Sequence, residues 1–242
     1  SIVIGDALNI RAMLLVPAVF YLLQYALSDG GRPVFFLPLS LVLSLQMLSG
    51  GVQFSFYTLL AAAGYAGYVL ITYRHSARER VLLMCLFGGA IILAIALAAV
   101  QLAPQWEYRR LSLRAIEFEW FRVWAVQPHQ LLDYVVPSVE RLGYFGIVPL
   151  VLAPFSLFFW KDRRKYFFLL VGLFSVLYAL GGNTKISTFI ADFPLLRDFR
   201  GPFRATIFFN FGMFALAGGA FSAIKQHPVR STRSLVVFFG IT

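Results

Sequence analysis

Residues 81–103 read VLLMCLFGGAIILAIALAAVQLA and contain no charged side chain. They follow a short basic segment that holds Arg74, Arg78 and Arg80. A bilayer core of about 30 Å calls for about 20 mostly apolar residues in a helix. Backbone amides in lipid must bond within their own segment, so such a run is a helix and not a strand. Working outward, further apolar runs lie at 12–27, 34–48, 52–73, 144–160, 166–180 and 205–224, and another opens at Leu235. The expectation is an all-α, polytopic bundle of about seven to eight membrane helices, a single transmembrane domain over 1–242. Pro17 and Pro38 fall in the first two runs and predict kinks or tilts there.

The whole composition agrees. Of the 242 residues, 60% are hydrophobic and 13% charged, against about 45–50% and about 25% in soluble domains. A soluble chain with this core would lack the polar surface to cover it. The net charge of +10 does not indicate nucleic acid as a partner, because the basic residues sit in short clusters between apolar runs. The single cysteine, Cys85, excludes an internal disulfide. The chain begins at Ser1 without methionine and ends a few residues into an apolar run. It is expected to be a piece of a longer protein.

Orientation follows from three basic segments, 74–80, 161–165 and 225–233. If each run crosses once, all three share one side, and the positive-inside rule makes that side cytoplasmic. The opposite, outer side then carries two long loops, 105–143 and 181–204. The second contains Ile186, Phe189, Ile190 and Phe193 at helical spacing, which predicts a short helix lying in the interface. Trp106, Trp120 and Trp124 also fall on the outer side, where an aromatic belt belongs.

Two sets of loop residues could carry chemistry. The run Pro194-Leu-Leu-Arg197-Asp198-Phe-Arg200-Gly-Pro202-Phe-Arg204 sets three arginines ahead of a membrane helix. The planar guanidinium fork matches a phosphate, so a lipid phosphate is a natural ligand. The alternative is that these arginines snorkel to headgroups or pair with Asp198. The second set is Glu107, Glu117, Glu119 and Asp133, of which Glu107 and Asp133 are candidates for a general base. Glu117 and Glu119 share a face only in an extended segment. The competing reading is a solvated face paired with Arg109, Arg110 and Arg114.

Other features exclude more than they suggest. His129 has no partner at a metal-ligand spacing, so a zinc site is not expected; His75 and His227 read as solvated. No phosphate loop ending in Gly-Lys-Ser/Thr occurs, which leaves ATP-driven transport unsupported. Gly88, Gly89, Gly218 and Gly219 predict close helix packing. Charge is nearly absent from the apolar runs, which disfavours an ion-coupled transporter. Gln24, Gln46, Gln53 and Gln101 are the polar exceptions, and their expected role is to tie helices together.

Several blocks resemble YfhO-type bacterial membrane proteins. Leu48-Ser-Gly-Gly-Val-Gln53-Phe-Ser-Phe-Tyr57 is similar to that family's Gly-His/Asn-Pro-Gln…Tyr signature, although Gly51 and Val52 replace its His/Asn-Pro. Gln101-Leu-Ala-Pro104-Gln-Trp-Glu107 with Ser112-Leu-Arg114 resembles Gln-Leu-x-Pro-x-x-Glu…Ser-x-Arg. Tyr144-Phe-Gly146-Ile-Val-Pro149-Leu and Gly181-Gly-Asn183-Thr also fit. Phe199-Arg200-Gly-Pro202-Phe-Arg204 is similar to Phe-Arg-x-Pro-x-Arg, ahead of Leu216-Ala-Gly218. In order, the blocks cover most of the chain.

The resemblance implies a glycosyltransferase of the GT-C type in the bacterial plasma membrane. Such an enzyme moves a sugar from a polyprenyl-phosphate donor to a cell-envelope glycopolymer at the outer face. The resemblance puts the catalytic acid in a first outer loop, which would lie before Ser1; Asp6 does not match it. Arg200 and Arg204 are the expected ligands of the lipid phosphate, with Arg197 and Arg114 as second choices. No organic cofactor is expected, and a divalent metal stays open. The alternative is a non-enzymatic transporter or assembly scaffold for lipid-linked envelope precursors.

Overall fold

The computed structural model describes residues 10–28, 32–73, 75–111, 125–136, 144, 146–191 and 201–226. Among them every regular element is a helix. In chain order the α-helices are α1 (Val16–Leu27), α2 (Phe36–Leu48), α3 (Val52–Thr72), α4 (Ala77–Leu97), α5 (Ala99–Leu111), α6 (Ile147–Phe159), α7 (Arg164–Ala179), α8 (Lys185–Ala191) and α9 (Thr206–Gln226). Short 3-10 turns occupy Pro33–Phe35, Pro128–Tyr134, Gly181–Asn183 and Pro202–Ala205.

Four of these stretches are long and apolar enough to cross a membrane: Ile10–Leu27, Val52–Thr72, Ala77–Leu97 and Pro202–Lys225. Two of the expected spans form shorter apolar helices, Pro33–Leu48 and Ile147–Phe159. The third, α7, has 16 residues and so rises about 24 Å at 1.5 Å per residue, short of an untilted crossing. Proline and glycine set several of these limits. Gly50 and Gly146 have positive φ (87° and 96°) beside the ends of α2 and α6.

The two early prolines act differently. Pro17 lacks the N–H that would reach Met13, and the helix that begins at Ile10 is interrupted by a turn at Leu15. Pro38 kinks nothing. It lies in the first turn of α2, where its N–H would have no intrahelical partner anyway. The run 81–103 also divides. A hitch at Ala98 separates α4 from α5, and Pro104 lies inside α5. Helix therefore continues to Leu111, into the segment the sequence assigns to an outer loop. The start of α4 is fixed by a reciprocal cap. Ser76 Oγ accepts from the Glu79 N–H, and the Glu79 carboxylate accepts from the Ser76 N–H at 2.7 Å.

The chain forms two compact units, residues 1–126 with 177–207, and residues 127–176 with 208–242. In the first unit α1 buries Val16, Val19, Phe20, Leu23, Ala26 and Leu27, a 3.6-residue stripe. Phe20 meets Tyr65 of α3 edge-on at 5.6 Å. Phe36 of α2 meets Phe87 of α4 at 6.5 Å. Half of the apolar window of α3 is buried (50%), against 17% for α4, so α3 is central and α4 peripheral. Leu82, Ile92 and Val100 stand outward with more than half their surface exposed. Apolar patches of this extent are rare on soluble monomers, and they give the molecule its membrane-protein character.

Gln46 ties this unit together, as expected of a glutamine in lipid. Its side chain is fully buried. Nε2 donates to the Ala12 carbonyl at 2.8 Å and to Thr58 Oγ1 at 2.9 Å. The Ala12 carbonyl lies in the helical turn ahead of Pro17 and gains there a side-chain donor. Ser40 and Ser44, also buried, return their hydroxyls to the carbonyls of Leu37 and Leu41. Gln24 is exposed instead.

In the second unit α7 and α9 approach backbone to backbone. A Cβ on Gly212 would lie 2.8 Å from the Phe168 carbonyl oxygen and 3.7 Å from the Gly172 Cα. A Cβ on Gly219 would collide with the Trp160 ring. The packing role expected of Gly219 therefore holds. Gly88, Gly89 and Gly218 differ, since a Cβ there would meet nothing within 4 Å among the described residues. Lys165, a residue only 8% exposed, donates from its ammonium to the Leu157 carbonyl at 2.6 Å and so caps the end of α6. Arg164 pairs with Asp162 at 2.9 Å.

Candidate functional site

The Pro202–Ala205 turn leads directly into α9. Gly201 precedes it with φ 70° and ψ 69°, a left-handed conformation that glycine adopts without a Cβ penalty. A Cβ there would also sit 3.0 Å from Phe203 Cε1. Pro202 and Ala205 are buried, which anchors the turn. Arg204, half-buried, is left in the first unit with its guanidinium 5.7 Å from the Phe203 ring centroid.

What holds that guanidinium comes from far away in sequence. Arg204 Nη1 donates to Gln53 Oε1 at 2.9 Å, across 151 residues. Gln53 Nε2 donates to Tyr57 Oη at 2.7 Å and, at a longer 3.4 Å, to the Gly201 carbonyl. Tyr57 Oη donates to Tyr178 Oη at 3.1 Å. The two phenol rings meet edge-on, 5.8 Å apart, and both tyrosines are buried. The result is a ladder of polar groups running from the turn at Gly201 through α3 to the end of α7.

The ladder has a direction. A guanidinium only donates and a carbonyl only accepts. The amide of Gln53 therefore turns its oxygen to Arg204 and its nitrogen to Gly201, with no freedom to flip. Arg204 donates to Gln53 and Gln53 to Tyr57, and in a low-dielectric interior such chains polarise and strengthen one another.

Beside it, Asn183 Nδ2 donates to the Val126 carbonyl at 2.9 Å, and the Val126 N–H to the Ala179 carbonyl at 2.8 Å. Gly181 opens that turn with φ 53°. The blocks at 48–57, 101–107, 181–184 and 201–204 fall in the first unit.

Of the other expected site residues, Glu107 and Asp133 are described. Glu107 is exposed on α5. Asp133 is partly buried in the Pro128–Tyr134 turn of the second unit. Arg114, Arg197 and Arg200 lie outside the described residues, as do Glu117, Glu119, Trp120, Trp124, Phe193, His227, Asp6 and the run from Leu235. Trp106 is exposed. His75 is partly buried where a solvated residue was expected, and His129 is exposed. Helix α8 forms where the spacing predicts it, with Ile186 and Phe189 outward. No group of three or more His, Cys, Asp or Glu side chains among the described residues could hold a metal ion.

Tyr178 was not singled out by the sequence, because a tyrosine inside an apolar run looks like any other aromatic. Gln53 was, but as helix glue and without its partner.

A guanidinium whose orientation is fixed on one edge can present its remaining N–H groups to an oxyanion. Comparison with family models, curated proteins and solved structures found no match for this chain.

Proposed function

We propose that the chain is the membrane-embedded part of a bacterial GT-C-type glycosyltransferase that uses a polyprenyl-phosphate sugar donor. The observation that carries this reading is the hold of Gln53 on Arg204, beside a left-handed glycine turn at the head of an apolar helix. A lipid carrier presents its phosphate where hydrocarbon gives way to water, and an oriented arginine there suits it. The order of the resemblance blocks supports the same reading. The basic segments 74–80, 161–165 and 225–233 are taken as cytoplasmic and the Arg204 turn as external.

In this mechanism the acceptor hydroxyl attacks the anomeric carbon and the bond from that carbon to the phosphate oxygen breaks. The hydroxyl proton passes to a carboxylate acting as general base. Negative charge grows on the departing lipid phosphate, and Arg204, with Arg200, stabilises it by charge-assisted hydrogen bonds. The near absence of charge in the apolar helices disfavours the transporter alternative.

The test is sugar transfer by the full-length protein in proteoliposomes, with a polyprenyl-phosphate sugar and an envelope-polymer acceptor. Arg200→Ala combined with Arg204→Ala should lower transfer about a hundredfold or more, the usual scale for lost transition-state charge stabilisation. Unchanged transfer by the folded double variant would remove the phosphate clamp. Passage of sugar across the bilayer without transfer would instead establish the transporter alternative.

A further inference from the structure

We infer that Gln53 is a positioning residue for the anion-binding arginine, with Tyr57 and Tyr178 as its support; this rests on the reading of Arg204 as a phosphate ligand. Holding a long cation still has a cost. A free arginine side chain carries about 2 kcal/mol of rotamer entropy, and a ligand that must order it binds correspondingly less tightly. In this molecule ordering precedes the ligand. Gln53 Oε1 takes Nη1 at 2.9 Å, and the Phe203 ring lies 5.7 Å from the guanidinium carbon. One edge of the fork is thereby engaged by a neutral acceptor.

Neutrality is the important property. A carboxylate at position 53 would fix the same edge equally well, but it would cancel the charge that draws a phosphate. A carboxamide orients the cation and leaves its charge available. Its own orientation is imposed from the far side, where Tyr57 Oη accepts from Nε2 at 2.7 Å and passes its proton donor on to Tyr178 at 3.1 Å. Both tyrosines are buried, so water does not compete strongly for these bonds.

Gln53 and Tyr57 lie one helical turn apart on α3. Gln53 alone of the two touches the turn, through the Gly201 carbonyl and Arg204, and Tyr57 is joined to the site through Gln53.

The experiment uses full-length protein in phosphatidylcholine nanodiscs, with farnesyl phosphate as the probe and farnesol as the control without phosphate. Binding of both is measured for Gln53→Ala, Gln53→Glu, Tyr57→Phe, Arg204→Ala and the Gln53→Ala/Arg204→Ala pair, with thermal unfolding followed in parallel. Loss of a hydrogen bond to a charged group predicts about tenfold weaker farnesyl phosphate binding by Gln53→Ala, with farnesol unchanged. The double variant should bind no more weakly than Arg204→Ala alone, because one residue acts through the other.

Gln53→Glu is nearly isosteric, so packing survives, yet farnesyl phosphate binding should fall at least as far as in Gln53→Ala. Tyr57→Phe keeps the ring and removes the hydroxyl, and about a threefold loss is expected from one neutral hydrogen bond. If Gln53→Ala does not fold, these two variants carry the test. Multiplying losses in the double variant, or binding by Gln53→Glu equal to that of the unaltered protein, would overturn the role of Gln53 while leaving the arginine as a ligand. If Arg204→Ala binds farnesyl phosphate normally, the phosphate reading itself fails, and the positioning role fails with it.

Discussion

Gly201 shows how much one residue can decide. Its left-handed backbone opens the turn in which Pro202 is buried and Arg204 reaches Gln53. An L side chain in that conformation costs about 1–2 kcal/mol, and a methyl group would also press on Phe203 at 3.0 Å. Gly201→Ala should therefore lower the unfolding temperature measurably, and it should weaken farnesyl phosphate binding. Gly201→Asn should be milder, since asparagine visits this region more readily. Scanning calorimetry of the purified variants separates the two. The arginines, Gly201 and Pro202 were legible in the sequence as a turn ahead of an apolar helix. The contact of Arg204 with Gln53 was not, because periodicity reports a residue's face on its own helix and says nothing of a partner 151 positions away. Tyr178 was hidden for a related reason. In an apolar run its ring is unremarkable, and only the tertiary fold gives its hydroxyl a neighbour.

Among the elements, α7 and α9 depend most on close approach. Lipid offers little hydrophobic drive for helices to associate, so small residues that bring backbones together matter more. The Phe168 carbonyl faces Gly212 so closely that a Cβ would reach within 2.8 Å of it. Gly212→Val should force the helices apart and destabilise the second unit by about 1–3 kcal/mol, as overpacking does. Gly88→Ala, facing open space among the described residues, should be neutral or slightly stabilising through helix propensity. Thermal unfolding in detergent distinguishes the pair. The sequence singled out Gly88, Gly89, Gly218 and Gly219 alike, yet only Gly219 meets a neighbour so closely. A glycine pattern marks where helices can touch, while the side chains opposite decide where they do. Proline was more readable. Pro17 interrupts its helix and Pro38 begins one, and the difference is only where each falls relative to the first turn.

Taken as a whole, the molecule is a helical protein with membrane character, and this much the composition foretold. Apolar runs long enough to cross are a property of solvent and length, which need no knowledge of packing. The subdivision into two compact units was not visible, since no composition change or linker marks 126, 176 or 207. The shortness of α2 was legible in its apolar run, 34–48, and α6 and α7 likewise follow runs of fewer than about 20 residues, 144–160 and 166–180.

Helix α4 leaves most of its circumference bare, and the lone thiol of Cys85 is exposed on it. Nature has thus supplied a single-site depth gauge. A nitroxide attached at Cys85 in nanodiscs should relax readily with dissolved oxygen, which concentrates in the acyl region, and poorly with an aqueous nickel chelate. The reverse ratio would mean that this flank of α4 faces water, and the greasy helix would need a protein neighbour to shelter it.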